Sequence, residues 1–411
     1  MKQLSQFIQE KKLSISNLTK SIEVPGVDTS LAKVTLPDEE DINILSLVEN
    51  SIKEFVLDNC QKVGFDSKTD LSNLHKFMDV DKIADCQNYV NNQLQNSMMR
   101  WAYHVAKSRL CFQGDFYIDK EIYVRINYPY DKALEGQKSS QTDPNHRLTK
   151  YNHGRPRSSW GHGPHKDSWY GHSHSAINLW FSVCGTNEDA TMTLYPEHAY
   201  KDTTYDPESM YASYSEKLGK NVRLKMNNGE NFIFDPELLH STRINTSEET
   251  RIVLTLRLSN SEPLFSKDIN HDIYDLWVKS DSVKNGDFLS KKVGKKVSIN
   301  DHPSTDKIDD YYVYEADKDL NYIFNKEHRH DFDIKDGILF EMRFNNGECL
   351  AVWSKNKLYK FSKKCPHVGA PLIGAEFDPE KIKIKCPAHG AEFCLKTGNS
   401  GSDKLSLKII D

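Results

Sequence analysis

The residues best suited to chemistry in this chain fall into two groups. Near the C-terminus, Cys365-Pro-His367 is followed, after an eighteen-residue interval, by Cys386-Pro-Ala-His389. Two Cys-plus-His pairs offer four metal ligands from two loops. The small residues around them, Val368, Gly369, Ala370, Gly390 and Ala391, would let those loops close over a buried group. This ligand set suits Zn2+, or an iron–sulfur cluster with two thiolates on one iron and two imidazoles on the other. A zinc finger of this composition normally keeps its two Cys together and its two His together. Here the pairs are mixed, which favours the cluster.

The second group begins in PHKDSWYGH (164–172), which contains a single His-x-Asp, His165-x-Asp167. On extended backbone, residues i and i+2 share a face, so both side chains can reach one ion. His240, in DPELLHSTR, offers a third ligand, and Arg251 follows eleven positions later. Two His and one carboxylate leave three iron positions open, the facial triad of non-haem Fe(II) oxygenases. A buried Arg stays charged and can hold a carboxylate by two parallel hydrogen bonds. Each residue alone fits equally well as a polar core or loop residue. Their order and spacing together favour a metal centre.

The elements that must position these groups change character along the chain. Residues 1–110 read as helical: Ile44, Leu45, Val48, Ile52, Phe55 and Val56 recur at three- and four-residue steps, and a second such pattern runs from Ile83 to Val105. From Phe116 the period becomes two. FYIDKEIYVRINY predicts a strand pair, and INLWFSV, ATMTLYP, NVRLKM, NFIFD and RIVLTLRL predict further short strands of an antiparallel jelly roll over residues 111–262. Residues 263–332 are polar and read as a connection with some strand or helix of its own; His328 and His330 within it read as solvent-exposed. Short strands then lead into the Cys/His loops, giving a small all-β unit over 333–411.

From about residue 335 to the C-terminus the chain resembles a Rieske domain, which implies a [2Fe–2S] cluster on Cys365, His367, Cys386 and His389. High-potential members carry an extra Cys in each loop and hydroxyls directed at the sulfurs. This chain has Ala370 and Ala388 in the first case, and Ala391 and Phe393 in the second. Hydrogen-bond donors stabilise the reduced cluster, so their loss implies a potential near the low end of the roughly −150 to +300 mV Rieske range.

Residues 115 to 260 resemble an Fe(II)/2-oxoglutarate dioxygenase of the phytanoyl-CoA hydroxylase type, with a double-stranded β-helix (cupin-like jelly roll) fold. The resemblance implies His165, Asp167 and His240 as Fe(II) ligands, with Arg251 and Thr242 on the distal carboxylate of 2-oxoglutarate. ATMTLYPEH resembles the family's strand ending in Pro-Gly-Ser-His, with Glu197 in place of Gly. Halogenases of this fold replace the carboxylate ligand with a small residue. Asp167 is retained here, so hydroxylation or another oxidation is expected. The loop around the iron carries Arg147, Lys150, Arg155, Arg157, Trp160, Lys166, Trp169 and Tyr170, a mixture suited to a small anionic substrate as well as to a solvated loop.

The implied enzyme is a 2-oxoglutarate-dependent oxygenase with O2 as co-substrate and a fused Rieske domain feeding the mononuclear iron. Two alternatives stand beside it. One is an NAD(P)H-driven Rieske-type oxygenase, whose domain order and helix-borne Asp-x2-His-x4-His motif this chain lacks; the other is a non-catalytic electron-transfer or binding protein. A ferredoxin or flavin reductase is the expected redox partner, and the resemblance is compatible with a homo-oligomer. A net charge of −5 gives no bulk drive towards nucleic acid or anionic membrane. No apolar run reaches the length of a membrane span. The charged N-terminus has no signal-peptide core, and Cys60, Cys86, Cys111 and Cys184 show no disulfide spacing, so a cytoplasmic location is expected.

Overall fold

The computed structural model describes residues 4–60, 62–129, 132–133, 164–205, 212, 218–242, 245–267, 275–297, 313–316, 336–344, 347–367, 369, 372, 374–388, 390–400 and 405–410. Three helices come first: α1 (Leu4–Ser16), α2 (Glu39–Asn59) and α3 (Ile83–His104). α2 starts where it does because Asp38 and Asp41 form a capping box, each carboxylate accepting from the other's backbone N–H, and Glu39, Glu40 and Asp41 complement the helix dipole. Its buried stripe of Ile44, Val48, Ile52, Phe55 and Val56 meets the Met98, Met99 and Trp101 side of α3. No helix among the described residues is long and apolar enough to cross a membrane.

A single buried carboxylate ties this helical layer to the sheet beneath. Asp41 is fully buried and accepts from Trp101 Nε1 (2.9 Å), Asn231 Nδ2 (3.1 Å) and the Arg109 guanidinium, which also bonds Thr35 Oγ1 (3.0 Å). Arg109 reaches it from a π-helical turn, Val105–Arg109, at the end of α3. Removing one partner of such a set strands a buried charge, at a cost of about 3–5 kcal/mol.

The strands of the middle region are β1 (Ser21–Glu23), β2 (Ala32–Thr35), β3 (Tyr117–Asp119), β4 (Tyr123–Asn127), β5 (Ala176–Cys184), β6 (Met192–Tyr195), β7 (Val222–Arg223), β8 (Asn231–Phe234), β9 (Leu239–Thr242) and β10 (Arg251–Ser259). After them come β11 (Leu264–Ser266), β12 (Leu276–Lys279), β13 (Lys291–Lys292) and β14 (Lys295–Val297). The main sheet runs β1-β2-β8-β5-β10-β3-β12-β13, with β4 also on β10; a second, smaller sheet is β7-β6-β9. On β10, Ile252, Leu254, Leu256 and Leu258 join the helices in one core, whereas Val253 joins Trp180, Phe232, Met192 and Leu194 in a second core between the two sheets. β5 and β10 are buried at every position because both faces are covered. The result is the expected double-stranded β-helix behind an N-terminal helical layer.

One feature differs from the sequence reading. β3 and β4 do not pair with each other. They lie one after the other along β10, β4 opposite Arg251–Thr255 and β3 opposite Leu258–Ser259. A nine-residue strand is long enough to take both, and the alternation that signals a strand carries no information about which neighbour it pairs with. The stretch after residue 263, expected as a connection with some strand or helix of its own, supplies β12, which pairs with β3 and extends the main sheet.

In the C-terminal region β15 (Val313–Ala316), β16 (Leu339–Phe344), β17 (Gly347–Ser354) and β18 (Lys357–Phe361) form one sheet, and β19 (Glu376–Asp378), β20 (Lys383–Lys385) and β21 (Glu392–Cys394) another. Leu350, Val352, Phe361, Ile384 and Phe393 make a core that also encloses Cys365 and Cys386.

Candidate active site and cluster loops

His165 and His240 face each other across an isolated antiparallel bridge, each donating its backbone N–H to the other's carbonyl at 2.9 and 3.0 Å. The extended geometry expected for His-x-Asp holds only in part. Lys166 is extended, but Asp167 opens a 3-10 turn to Tyr170 that Gly171 ends at φ +90°. The carboxylate still reaches the pair. Asp167 Oδ1 lies 3.4 Å from His165 Nε2 and 3.7 Å from His240 Nε2, and one ligand atom from each of the three lies within 4.8 Å of the other two. All three residues are buried.

Neighbouring groups fix how these ligands point. The other carboxylate oxygen, Asp167 Oδ2, accepts from Asn178 Nδ2 (2.9 Å) and Arg257 Nη2 (3.0 Å). His240 Nδ1 lies 2.8 Å from the Leu238 carbonyl, a partner that requires Nδ1–H and leaves the Nε2 lone pair towards Asp167. The backbone N–H of Asp167 donates to Pro236 (3.1 Å), in the turn between β8 and β9. That turn is pinned from outside by Lys11 of α1, 2.8 Å from Asp235.

Electrostatics follow from burial and from Arg257. Burial would raise the Asp167 carboxyl, but the Arg257 guanidinium, together with the His165 hydrogen bond, holds it well below the usual carboxylate range. Burial, then the neighbouring His165, lowers His240 to about 4, which keeps it neutral and able to ligate. Asp119, 3.5 Å from the other side of Arg257, is pushed by burial up to about 7 despite that charge.

The triad sits on the wall of an open cavity of about 660 Å3, lined also by Arg125, Tyr170, His172, Trp180 and Thr242. Thr242 shares the inner face of β9 with His240, two positions on. Arg251 is buried at the start of β10, its guanidinium bonded to the Ala190 carbonyl and the Asn127 side chain and 5.2 Å from the centre of the Trp180 ring. Its Nε is buried without a hydrogen-bond partner. An orphaned cationic N–H suits a carboxylate ligand, but Arg251 is not among the residues that line this cavity, whose arginines are Arg125 and Arg257.

Of the basic and aromatic loop, Tyr170 lines the cavity and packs edge-on to His165. Lys166 instead bonds the Lys201 carbonyl, and Trp169 stacks on Tyr205. Arg147, Lys150, Arg155, Arg157 and Trp160 lie outside the described residues, as do His328 and His330. Arg125, Asn178 and Arg257 were not singled out by sequence. The signal available was parity: Arg257 stands six positions after Arg251 on β10, an even separation that puts both on one face, and Arg125 shares a face of β4 with Tyr123.

The two C-terminal loops are built alike. In Cys365-Pro-His367-Val-Gly369 and Cys386-Pro-Ala-His-Gly390, the glycine returns its N–H to the cysteine carbonyl at 2.9 Å, with φ +77° and +70°. Only glycine takes that left-handed turn without strain. Cys365, Cys386 and His367 are buried, and no cysteine among the described residues is in a disulfide. Two buried thiols in matched loops fit a cluster. His389 and Ala370 lie outside the described residues.

Comparisons with known proteins agree with this geometry. Residues 78–253 match the family model of phytanoyl-CoA dioxygenase (PhyH), and residues 327–404 match the Rieske [2Fe-2S] domain. Apoptosis-inducing factor 3 of Mus musculus and that of Homo sapiens are each 33% identical over 70 residues, 17% of this chain and only 11% of theirs. Among solved structures, the ferredoxin of carbazole 1,9a-dioxygenase from Nocardioides aromaticivorans IC177 shares 26% identity over 19% of this chain and 78% of its own, at a TM-score of 0.18. The epimerase SnoN, in complex with Fe3+, alpha ketoglutarate and nogalamycin RO, shares 12% over 62% of this chain and 84% of its own, at 0.31. By its two family matches the chain carries a PhyH-type domain over residues 78–253, of the phytanoyl-CoA dioxygenase kind, followed by a Rieske [2Fe-2S] domain over residues 327–404.

Proposed function

We propose that the protein hydroxylates, or otherwise oxidises, a small anionic metabolite, and that its Rieske cluster supplies electrons to the mononuclear iron. The observation that carries the reading is the His165–Asp167–His240 cluster on the wall of a cavity that also presents Arg125. Arg125 bonds the Tyr123 hydroxyl (2.7 Å), its Nε is buried without a hydrogen-bond partner, and no carboxylate among the described residues pairs with it.

His165, Asp167 and His240 would hold Fe(II), a ligand set suited to activating O2 with a cosubstrate. Bound iron with 2-oxoglutarate supplies an oxidant for an unactivated C–H bond, the cosubstrate leaving as succinate and CO2. Arg251 and the Thr242 hydroxyl take the distal carboxylate of 2-oxoglutarate, and Arg125 takes the anionic group of the substrate. Arg257 and Asn178 keep Asp167 ionised and turned to the metal. Cys365, His367, Cys386 and His389 hold the cluster. Ala388, Ala391 and Phe393, all buried, surround it with side chains that donate no hydrogen bond, which supports a low potential. An NAD(P)H-linked flavin reductase or a ferredoxin reloads it.

The test is succinate formation from 2-oxoglutarate by the anaerobically purified, iron-loaded protein on exposure to O2. Formation that depends on 2-oxoglutarate and rises with carboxylated or phosphorylated candidates supports the reading. Dependence on NAD(P)H and a reductase alone, without succinate, would replace it by a Rieske-type oxygenase. Arg125→Ala should raise KM for the substrate; a raised KM for 2-oxoglutarate alone would remove the anionic-substrate assignment.

A further inference from the structure

The small sheet β7-β6-β9 has two differently occupied faces. His240 and Thr242 point from β9 into the cavity. Thr193 and Tyr195 of β6 point the other way and, with Cys386, Pro387 and Gly390 of the second cluster loop, line a separate cleft of about 440 Å3. One strand layer therefore divides the metal triad from a loop that carries a cluster cysteine.

Tyr195 joins the outer face of that layer to the cluster loop. It is 1% exposed, packed with Trp169, Ala212 and Leu239, and opposite Leu239 in the β6–β9 register, beside the Leu194–His240 pair. Its hydroxyl donates to the carbonyl of Pro387, the residue after Cys386, and lies 3.3 Å from Ser241 Oγ. Ser241 is joined to His240 by one peptide bond. The connection from Cys386 to His240 is thus a short run of covalent bonds interrupted by two hydrogen-bond contacts, all inside one chain.

We infer that this layer is the route by which the Rieske cluster reduces the mononuclear iron, with Tyr195 as the bridging residue. The inference rests on the proposed electron-donor role of the cluster. One electron leaves the reduced [2Fe–2S]+ cluster, which becomes [2Fe–2S]2+, and ferric iron on His165, Asp167 and His240 becomes ferrous. No bond forms or breaks and no proton is taken up. The flavin reductase or ferredoxin named above restores the cluster one electron at a time. Tyr195 positions the two halves and stays a closed-shell phenol throughout.

The experiment uses the full-length holoprotein under anaerobic conditions. The cluster is reduced, the mononuclear site is loaded as ferric iron, and loss of the reduced-cluster EPR signal is followed by rapid freeze-quench alongside loss of the ferric signal. In the wild type both signals should fall together at a rate independent of protein concentration. Tyr195→Phe, which keeps the ring and its packing, should slow that rate by about tenfold, a barrier change of about 1.4 kcal/mol. Cluster content and midpoint potential should stay unchanged. Ser241→Ala should slow it as well, and serves as the second probe if Tyr195→Phe loses its cluster. Unchanged rates in both variants, or a rate that rises with protein concentration, would overturn the route while leaving the cluster as donor. No transfer even in the wild type would instead overturn the donor role itself.

Discussion

Arg257 Nη2 lies 3.0 Å from Asp167 Oδ2, on the carboxylate oxygen turned away from His165 and His240. The pair joins the last long strand of the main sheet to a 3-10 turn ninety positions earlier. An arginine so placed does for the carboxylate ligand what the Leu238 carbonyl does for His240: it sets orientation and charge before a metal arrives. Arg257→Ala should lower Fe(II) affinity about 10- to 100-fold, as loss of an orienting partner usually does. Titration with Co(II) as a spectroscopic stand-in measures this directly. Unaltered affinity would mean that Asn178 alone suffices to hold Asp167.

The parts of this site legible in the sequence are those whose residue types are rare in combination. His165, Asp167 and His240 could be named because ligand types in order restrict the chemistry. Cys365 and Cys386 could be named because each opens a Cys-Pro pair with a histidine two or three positions on, followed by a small residue. The helical layer and most strands followed from periodicity. What stayed hidden were contacts between distant segments of ordinary composition. Arg257 reads as one more charged residue on a strand, and nothing local says that it meets Asp119 and Asp167. Tyr195 reads as a core aromatic, since its contact with Pro387 spans 192 positions. The missed adjacency of β3 and β4 to β10 has the same cause: side-chain alternation specifies a face, not a neighbour.

Arg251 carries a sharper expectation for the cosubstrate. Its Nε is buried and unbonded while its other nitrogens are held by Ala190 and Asn127, so the guanidinium is fixed before any ligand binds. A hydrogen bond to a charged group contributes about 1.5–3 kcal/mol, so Arg251→Ala should raise KM for 2-oxoglutarate about 10- to 150-fold. Arg251→Lys keeps the charge but loses the planar fork, and should fall between. In both, kcat at saturating 2-oxoglutarate should change far less. An unchanged KM for 2-oxoglutarate would remove Arg251 from the cosubstrate site.

Asp119 predicts a pH dependence of stability. Burial raises its carboxyl to about 7, against about 3.9 in an unfolded chain. The folded protein therefore holds this proton more tightly than the unfolded chain. The associated stability is fully present below about pH 3.9 and is lost as pH rises, levelling off above about 7. Asn at this position has no proton to lose. The melting temperature of Asp119→Asn relative to wild type should climb between pH 5 and 7 and then stay level. A constant difference across that range would show that Arg257 keeps Asp119 ionised in the fold.

Loss of the cluster separates its two conceivable uses. 2-Oxoglutarate already supplies two electrons per turnover, so a coupled cycle needs none from the Rieske domain. Ferric iron left by uncoupled turnover does need one, and the cluster loop lies across a single strand layer from His240. Cys365→Ser removes a ligand from a fully buried position and should abolish the cluster's visible and EPR spectra. With a reductase present, the initial rate of succinate formation should be close to wild type. The number of turnovers before inactivation should fall, and ascorbate or another small reductant should restore it. A cluster that serves every turnover predicts the opposite pattern, an initial rate lost at once and not recovered by ascorbate. Equal lifetimes with and without the cluster would exclude rescue of the iron as its purpose.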